Sequence, residues 1–309
     1  MSFVNSYWFV PVYEGTYFLG NRALTFGGHD LTQNRNEIDY FAISTGGTAT
    51  DFGDLLQTVR DGSAVSSGSR GVCCGGTQPG ILKVIQYVTI STTGNSTNFG
   101  DLTDWRRQMG GVMSTTRGVV SAGTNDGSAQ VTGHYFTIAT PANAATFGSL
   151  TIYRQGLAGA SSYAGRGVMG GGTNGTPVNT LDYYTISDSV NHASDFGDLT
   201  QARWMIGAAS DGTRGVWAGG RDQNGTAYYN IIDYVTLGTT GNATDFGDLA
   251  ATGAGINGTG NGTYAVFANR HNGSTQALID RITVATTGNA SDVGDLSVTR
   301  FDACLTSGA

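Results

Sequence analysis

Few residues in this chain have the type and spacing that chemistry requires. Its four histidines lie far apart, and no two share the spacing of a metal site. The nucleophile elbow G-x-S-x-G, the zinc-protease string H-E-x-x-H, the P-loop and the EF-hand are all missing from the sequence. The sequence therefore predicts a protein that is not an enzyme, with no catalytic residues, cofactor or metal. We expect the histidines to be solvated polar residues: His29, His134, His192 and His271.

Redox chemistry is the second possibility, because two of the three cysteines, Cys73 and Cys74, are adjacent and Cys304 stands alone. An odd count with an adjacent pair does not make a disulfide framework. We favour free, buried thiols, with a redox-active pair as the alternative. The first residues also lack a basic segment followed by an apolar one, so we expect folding in a reducing cytosol.

The elements that would position any site follow from an internal repeat. The string TTGNATDFGDL at 239–249 recurs as TTGNSTNFGDL at 92–102 and TTGNASDVGDL at 286–296. Its FGDL core occurs six times at spacings of 47 to 50 residues, which is the period of propeller blades. The six cores begin at Phe52, Phe99, Phe147, Phe196, Phe246 and Val293.

Each repeat predicts four short strands separated by turn residues. In the fifth repeat, the small residues MIGAAS precede RGVWAGG, an apolar strand that ends in a glycine pair. IIDYVTL then alternates β-branched and aromatic residues, and an outer strand surrounds Phe246. No helical periodicity is sustained. The predicted fold class is all-β: a six-bladed β-propeller with four antiparallel strands per blade.

The two ends of the sequence predict how the ring closes. DLSVTRFDACLTSGA aligns with the start of a repeat that has no second strand, whereas GNRALTFGG at 20–28 is a second strand without a first. The C-terminal strand should therefore complete the N-terminal blade and leave no free sheet edge at the seam. The chain then divides into an aromatic N-terminal extension (1–21) and the propeller (22–309).

Composition excludes two classes of partner. A net charge of −7 argues against nucleic-acid binding, which needs basic patches that displace counterions. No apolar run is long enough to span a bilayer. We therefore expect neither a nucleic-acid partner nor membrane insertion.

Ten of the 15 arginines occupy two repeated positions, one before the second strand and one after FGDL. A ring of cations suits an anion channel, but we favour a structural role in which each arginine pairs with a repeated aspartate or with blade-end carbonyls. The second set is Arg60, Arg107, Arg154, Arg203 and Arg300. The structural positions predicted in this way include Arg70, Arg117, Arg166 and Arg214 of the first set, with Asp101, Asp198 and Asp248.

Recognition is expected where the repeats differ. The six loops after the second strands share one position in the repeat, so they should emerge on one face. Their Asn, Thr, Gln, Gly and Tyr residues suit a carbohydrate or a protein surface, and ordinary solvated loops are the alternative. The candidate recognition residues are His29, Asn34, Asn125, Asp126, Asn174, Asp222, Asn224, Tyr228, His271 and Asn272.

The N-terminal extension carries aromatic residues that the ring does not require. It either packs along a blade or docks on a neighbouring subunit, since aromatic residues are enriched in interface cores. The candidate docking residues are Tyr7, Trp8, Phe9, Tyr13, Tyr17 and Phe18.

The apolar strand with its glycine pair, the tyrosine strand and FGDLTQAR at 196–203 resemble the kelch motif, with Phe where kelch repeats typically have Trp. The resemblance covers residues 22–309. The TTGNATDFGDL repeats also look like those of kelch-type proteins found in virions of tailed, especially marine, bacteriophages. Kelch propellers include enzymes and non-enzymatic binding modules, so the fold alone assigns no function.

This resemblance implies a non-enzymatic structural or recognition protein of the virion, assembled in the host cytoplasm. It would decorate the capsid or belong to the tail or adsorption apparatus. Its partners would be other virion proteins, further copies of itself, or a host surface glycan or receptor. The alternative is a carbohydrate-binding protein or a kelch-fold enzyme that uses the polar loop face. A copper oxidase of this fold would need convergent His and Tyr ligands, which the dispersed histidines do not supply.

Overall fold

The computed structural model describes residues 20–188 and 192–309, which form six antiparallel sheets arranged as blades in a ring. Four strands build each blade, from an inner strand beside the central channel to an outer strand at the rim. The predicted fold class is therefore confirmed: the chain is a six-bladed β-propeller. Within the described ranges no helix is long and apolar enough to cross a membrane.

The inner and second strands of the blades are short. The inner strands of blades two to six and then one are Ser63–Ser66, Gly110–Met113, Ala158–Ser161, Gly207–Ser210, Asn257–Gly260 and Cys304–Gly308. The second strands of blades one to six are Arg22–His29, Arg70–Cys74, Arg117–Ser121, Arg166–Gly170, Arg214–Ala218 and Tyr264–Ala268. Glycine and alanine dominate the inner strands because six of them must meet around one axis.

The third and outer strands complete the blades. The third strands are Asn34–Ala42, Val84–Thr89, Ser128–Thr137, Thr180–Thr185, Ile231–Thr236 and Leu278–Thr283. The outer strands are Gly46–Asp54, Thr97–Asp101, Ala145–Arg154, Ser194–Asp198, Thr244–Asp248 and Ser291–Asp295. Three short strands lie in the loops of blades three and six: Thr124–Asn125, Arg270–His271 and Thr275–Gln276.

The ring closes as predicted, with the C-terminal strand as the inner strand of blade one. Cys304–Gly308 pairs antiparallel with Arg22–His29, and Arg22 lies opposite Gly308. Hydrogen bonds between strands therefore join the two ends of the described chain. This pairing leaves blade one with the same four strands as the others.

Apolar side chains fill the space between neighbouring blades. Phe99, the aromatic residue of the second FGDL core, packs edge-on against Tyr87 of its own blade and Phe136 of the next, with ring centroids 5.8 and 5.2 Å away. It is 3% exposed, and burying a side chain of this size contributes about 1.5–3 kcal/mol. The core is thus a set of interfaces between blades rather than one central cluster.

The repeated string TTGNATDFGDL joins each blade to the next. The Gly94 N–H donates to the Phe52 carbonyl (2.8 Å), and the Asn95 Oδ1 accepts from the Asp54 N–H (2.9 Å). A Cβ on Gly53, whose φ is +146°, would lie 2.5 Å from the Gly94 carbonyl group. The TTGN segment of one blade therefore docks on the FGD segment of the blade before it, and glycine is required at the contact.

The predicted aspartates make the same contact through their backbone. The N–H groups of Asp101, Asp198 and Asp248 donate to the side chains of Asn143, Asn242 and Asn289 at 3.0, 3.1 and 3.0 Å. Among the described residues, the ion pair of these carboxylates joins Asp101 to Lys83 (3.2 Å). The arginines therefore do not pair with the aspartates of FGDL.

The first set of arginines joins neighbouring blades at the lower face, where second strands begin. Arg70 stacks on Tyr87 at 4.2 Å, and its Nη1 donates to the Ile138 carbonyl of the next blade (2.8 Å). Arg22, Arg117, Arg166 and Arg214 make the equivalent contacts, with Arg–Tyr distances of 4.4 to 4.7 Å. Of the two structural roles predicted for these arginines, pairing with a repeated aspartate or with blade-end carbonyls, the first set has the second.

The second set includes guanidinium groups buried beside aspartates of the third strands. The Arg203 Nη1 lies 2.7 Å from the Asp233 carboxylate, and both side chains are fully buried. The equivalent pairs are Arg154–Asp182, Arg270–Asp280 and Arg300–Asp39. In blades two and three, the position equivalent to Arg203 holds Val59 and Arg106. Arg60 and Arg107 each follow it by one residue, on the loop side.

Blades two and three change both members of the pair together. Blade two has Val59 and Gln86, which is a neutral combination. In blade three His134 replaces the aspartate, and Asp104 supplies the carboxylate, 2.6 Å from Arg106 and 3.2 Å from His134. Burial opposes ionisation of Asp104, but hydrogen bonds from His134 and Arg106 lower its pKa to about 2. His134 is thus a buried structural residue and not a solvated one.

Candidate functional site

The six variable loops emerge on one face of the ring, here called the loop face. Each loop begins beside the connection that leads to an inner strand, as in the pairing of Thr77 with Arg60. The other pairings are His29–Phe301, Arg107–Thr124, Gln155–Thr173, Trp204–Arg221 and Ala254–His271. The loops therefore surround the mouth of the central channel.

Six main-chain hydrogen bonds form a closed ring at this mouth. Each N–H donates to the carbonyl of the equivalent residue in the preceding blade, with N···O distances of 2.7 to 3.1 Å. All six residues have φ between +53° and +68°, which is uncommon outside glycine. The ring consists of Asp61, Gln108, Gly156, Met205, Gly255 and Asp302. These bonds offset the cost of the left-handed conformation and fix the geometry of the loop face.

Two carboxyl groups of this ring meet at the seam between blades one and two. The Asp302 carbonyl accepts from the Asp61 N–H at 2.7 Å, and the Asp61 side chain accepts from Arg107 and Gln108, both at 3.2 Å. Burial and the neighbouring Asp61 raise the pKa of Asp302 well above its usual value. The seam therefore favours a protonated Asp302.

The channel beneath the ring holds three successive cavities of about 50, 60 and 60 Å³. Small inner-strand residues such as Ala64, Gly111 and Gly159 line the two cavities of about 60 Å³. Each has room for a few water molecules only. Across residues 20–188 and 192–309, no group of three or more His, Cys, Asp or Glu is placed to hold a metal ion.

Four predicted recognition residues lie together over blades five, six and one. Phe301 packs against His29 (5.5 Å) and His271 (4.2 Å), and His271 packs against Tyr228 (5.4 Å between ring centroids). Tyr228 also packs against the cluster that contains Trp204. The Trp204 indole donates to the Asp222 carbonyl at 3.0 Å, which places Asp222 next to this row. Burial and the Arg221 guanidinium lower the pKa of His271 to about 4, so its imidazole is neutral at physiological pH.

The other predicted recognition residues are spread over the loops. The Asn125 Oδ1 accepts from the Gln130 side chain (2.7 Å), and Asp126, with φ of +41°, forms the tip of that hairpin. Asn34 reaches the Thr77 carbonyl at 3.5 Å. Asn174, Asn224 and Asn272 lie in separate loops of blades four, five and six. The structure thus assembles His29, Asp222, Tyr228 and His271 but not all ten. The predicted docking residues of the extension lie outside the described residues.

The large apolar side chains that are most exposed were not predicted. Trp105 and Tyr153 are each 60% exposed, Leu56 is 53% and Leu31 is 51%. Leu31 lies in a loop after a second strand, and the other three lie where an outer strand ends and leads to an inner strand, with Tyr153 in the last residues of the outer strand Ala145–Arg154. Both kinds of segment belong to the loop face. Among the described residues, all four exposed large hydrophobic side chains therefore lie on this face.

Trp105 and Tyr153 occupy equivalent positions on either side of blade three. The other connections carry Thr58, Ala202, Thr252 and Thr299 at this position. Between the two aromatic residues lies the hairpin 124–130, because Arg107 pairs with Thr124 and Arg154 pairs with Gln130. Two exposed rings thus flank a hairpin that carries amide side chains. Aligning the connections by FGDL could have identified this pair from the sequence.

No protein-family model matches the chain, and no curated protein matches it either. The class that the fold defines is the six-bladed β-propeller.

Proposed function

We propose that this propeller is a non-enzymatic structural and recognition module that binds its partner through the loop face. The observation that carries this proposal is the placement of Leu31, Leu56, Trp105 and Tyr153 on one face of a closed ring. Exposed apolar side chains gathered on one surface are typical of interaction sites. The hydrogen-bonded ring at the channel mouth keeps that surface rigid, which lowers the entropic cost of binding.

The described chain begins on the side of the propeller opposite the loop face. Gly20 lies against Ala309, whose N–H donates to the Gly68 carbonyl at the lower ends of the inner strands. The chain therefore enters the propeller at the lower face, away from the loops. We propose that residues 1–21 dock on a neighbouring subunit while the loop face stays available to a second partner.

The setting proposed for this module is the virion of a tailed bacteriophage, as capsid decoration or as part of the tail or adsorption apparatus. The resemblance of the repeats to kelch-type virion proteins supports this setting. Its partners would be virion proteins or further copies of the chain on the lower face, and a host surface glycan or receptor on the loop face.

Binding of a carbohydrate is the second candidate function, and Trp105 and Tyr153 favour it. Aromatic rings offer flat apolar faces to sugar rings, and the amides of Asn125 and Gln130 lie between them. This candidate requires no catalytic group.

The test of the proposed function combines two measurements on the full chain. Mass analysis at several concentrations, with a variant lacking residues 2–18 as the control, should show self-association that requires the extension. Mass spectrometry of purified particles should detect the chain as a stable constituent. A monomer at every concentration that is missing from all particles would overturn the virion setting, and binding to a panel of bacterial surface polysaccharides would then favour the carbohydrate function.

A further inference from the structure

Two cysteines meet at the seam where the ring closes. The Sγ atoms of Cys73 and Cys304 lie 3.6 Å apart, although 231 positions separate the residues in sequence. Cys304 belongs to the closing inner strand of blade one and Cys73 to the second strand of blade two. Both are buried in one apolar cluster, whereas Cys74 packs in the next cluster, between blades two and three.

We infer that Cys73 and Cys304 form a site for an intramolecular disulfide that locks the closing strand to blade two. A disulfide needs Sγ atoms about 2 Å apart, so each sulfur must move by roughly 0.8 Å. Glycine is required beside this pair, because a Cβ on Gly62 would lie 2.7 Å from the Cys304 Sγ. The bond would covalently link blades one and two, which belong to separate sheets.

The central channel passes close to this site. Gly62 and Ala303, the residue before Cys304, both line the cavity of about 50 Å³ at the channel mouth. A cavity of that size admits a molecule such as hydrogen peroxide but excludes glutathione. Hydrogen peroxide in this cavity would lie beside Gly62, which adjoins the Cys304 Sγ.

The reaction balances with one peroxide. One thiolate attacks a peroxide oxygen, which leaves a sulfenic acid and releases the other oxygen as water. The second thiolate attacks the sulfenic sulfur, the S–S bond forms, and the departing hydroxide takes up a proton as the second water. Two thiols and one hydrogen peroxide thus give one disulfide and two waters.

The site favours slow oxidation. The hydrogen bond with Cys73 and complete burial raise the pKa of Cys304, so little thiolate is present at neutral pH. The chain would therefore fold with both thiols reduced and acquire the bond during prolonged exposure to an oxidising medium. This inference does not depend on the proposed function, because it concerns the ring seam alone.

The test exposes the folded full chain to hydrogen peroxide and measures its melting temperature; a second sample is then blocked at its remaining thiols in denaturant and its intact mass is measured. We expect one blocking group where the reduced chain takes three, a further loss of about 2 Da for the two hydrogens, and a higher melting temperature that returns to its starting value with dithiothreitol. Since Cys73 and Cys74 share every peptide, the Cys74→Ser variant assigns the bond, and it should still cross-link. Cys304→Ala should not.

Three results would overturn the inference. They are a chain that gains oxygen without forming a cross-link, a bond that requires Cys74, and a Cys73–Cys304 bond that leaves the melting temperature unchanged. All three can be read from the oxidised wild type and Cys74→Ser, so they do not depend on the stability of Cys304→Ala.

Discussion

The Arg270 Nη1 lies 2.7 Å from the Asp280 carboxylate, but it reaches this partner from a different segment than in the other blades. In blade five, Arg203 lies on the connection before the inner strand, and position 220, at the end of the second strand, is glycine. Blade six reverses the two residues, with Gly253 on the connection and Arg270 after the second strand. Both guanidinium groups donate to equivalent acceptors. Arg203 donates to the Trp217 carbonyl and Asp233, and Arg270 donates to the Phe267 carbonyl and Asp280.

The same blade exchanges a second pair. Tyr264 begins its second strand and Arg281 lies on its third strand, the reverse of Arg214 and Tyr234 in blade five. Arg281 still stacks on the tyrosine at 4.8 Å and still donates to the next blade, at the Ser44 carbonyl (2.6 Å). Blade six therefore preserves the contacts of the repeat although its sequence departs from the pattern.

Moving the arginine of blade six from position 270 to position 253, the equivalent of Arg203, should show whether stability depends on its position in the sequence or on its contact with Asp280. Arg270→Gly alone should lower the free energy of unfolding by about 3–5 kcal/mol, because it leaves Asp280 buried without its partner. Gly253→Arg alone should also destabilise, since a Cβ there would lie 3.0 Å from the Arg270 side chain. The double variant should recover most of the loss, because the new arginine occupies the space that Arg270 vacates. Denaturant unfolding of the four proteins measures the coupling.

Additive losses in this cycle would contradict the equivalence of the two arginines. Gly253 is the suitable site for the test because its backbone lies outside the left-handed region, whereas Gly220 has φ of +106° and would strain an arginine. The reverse exchange in blade five is therefore a weaker test.

The blades could be predicted from the repeat, because FGDL marks the outer strand of a blade and the glycine pair marks the end of its second strand. The arginine partners were not predictable, since an aspartate recurs both in the third strand, in four repeats, and in FGDL, in five. Only the fold shows that Asp233 faces Arg203 while Asp198 faces solvent at the blade rim. A shift of one residue also placed Arg60 and Arg107 in the wrong set, because they adjoin the buried position that Val59 and Arg106 occupy.

Arg214→Ala tests the role of the first arginine set. The change removes the stacking on Tyr234 at 4.4 Å and the hydrogen bond to the Val284 carbonyl of blade six at 2.9 Å. We expect a loss of about 1–2 kcal/mol in the free energy of unfolding with partner binding intact. Arg214→Lys should lose a smaller part, because it keeps the charge without the planar group. Unchanged stability together with lost binding would instead point to an anion site.

Asp302→Asn tests the carboxyl pair at the seam. Because the pKa of Asp302 is raised in the folded protein, the folded form binds a proton more tightly than the unfolded chain does. The stabilisation from that proton is present at acid pH and is lost as the pH rises from about 4 through the folded pKa. Asparagine mimics the protonated group and tolerates the φ of +53°.

The variant should therefore melt at a higher temperature than the wild type at pH 7, and the difference should vanish toward pH 4. Thermal unfolding across this range measures it. Asp51→Asn, which removes an exposed carboxyl of an outer strand, controls for the change in net charge. A variant that melts lower than the wild type at pH 7 would show that nearby arginines stabilise the ionised form.

The ring at the channel mouth shows why the candidate site was harder to predict than the fold. Its left-handed positions hold Asp, Gln, Met and Gly, so no residue type marks them. The exposed aromatic residues Trp105 and Tyr153 occur at two of six equivalent positions, so they stand out in the sequence once the repeats are aligned by FGDL. Loop composition did identify His29, Tyr228 and His271, but their common partner, Phe301, lies on a connection at the position of Trp204.

Replacing the exposed rings separates recognition from folding on the loop face. Trp105→Ala and Tyr153→Ala remove side chains that are 60% exposed, so the free energy of unfolding should change by no more than about 0.5 kcal/mol. Binding to the loop-face partner should fall at least about tenfold for each, which is typical of an aromatic residue at the centre of an interface. Leu56→Ala gives the comparison with an aliphatic side chain of the same face, since Leu56 is 53% exposed. Equal losses for all three variants would indicate a diffuse apolar contact, whereas no loss for any of them would move the recognition surface to the row of His29, Phe301 and His271.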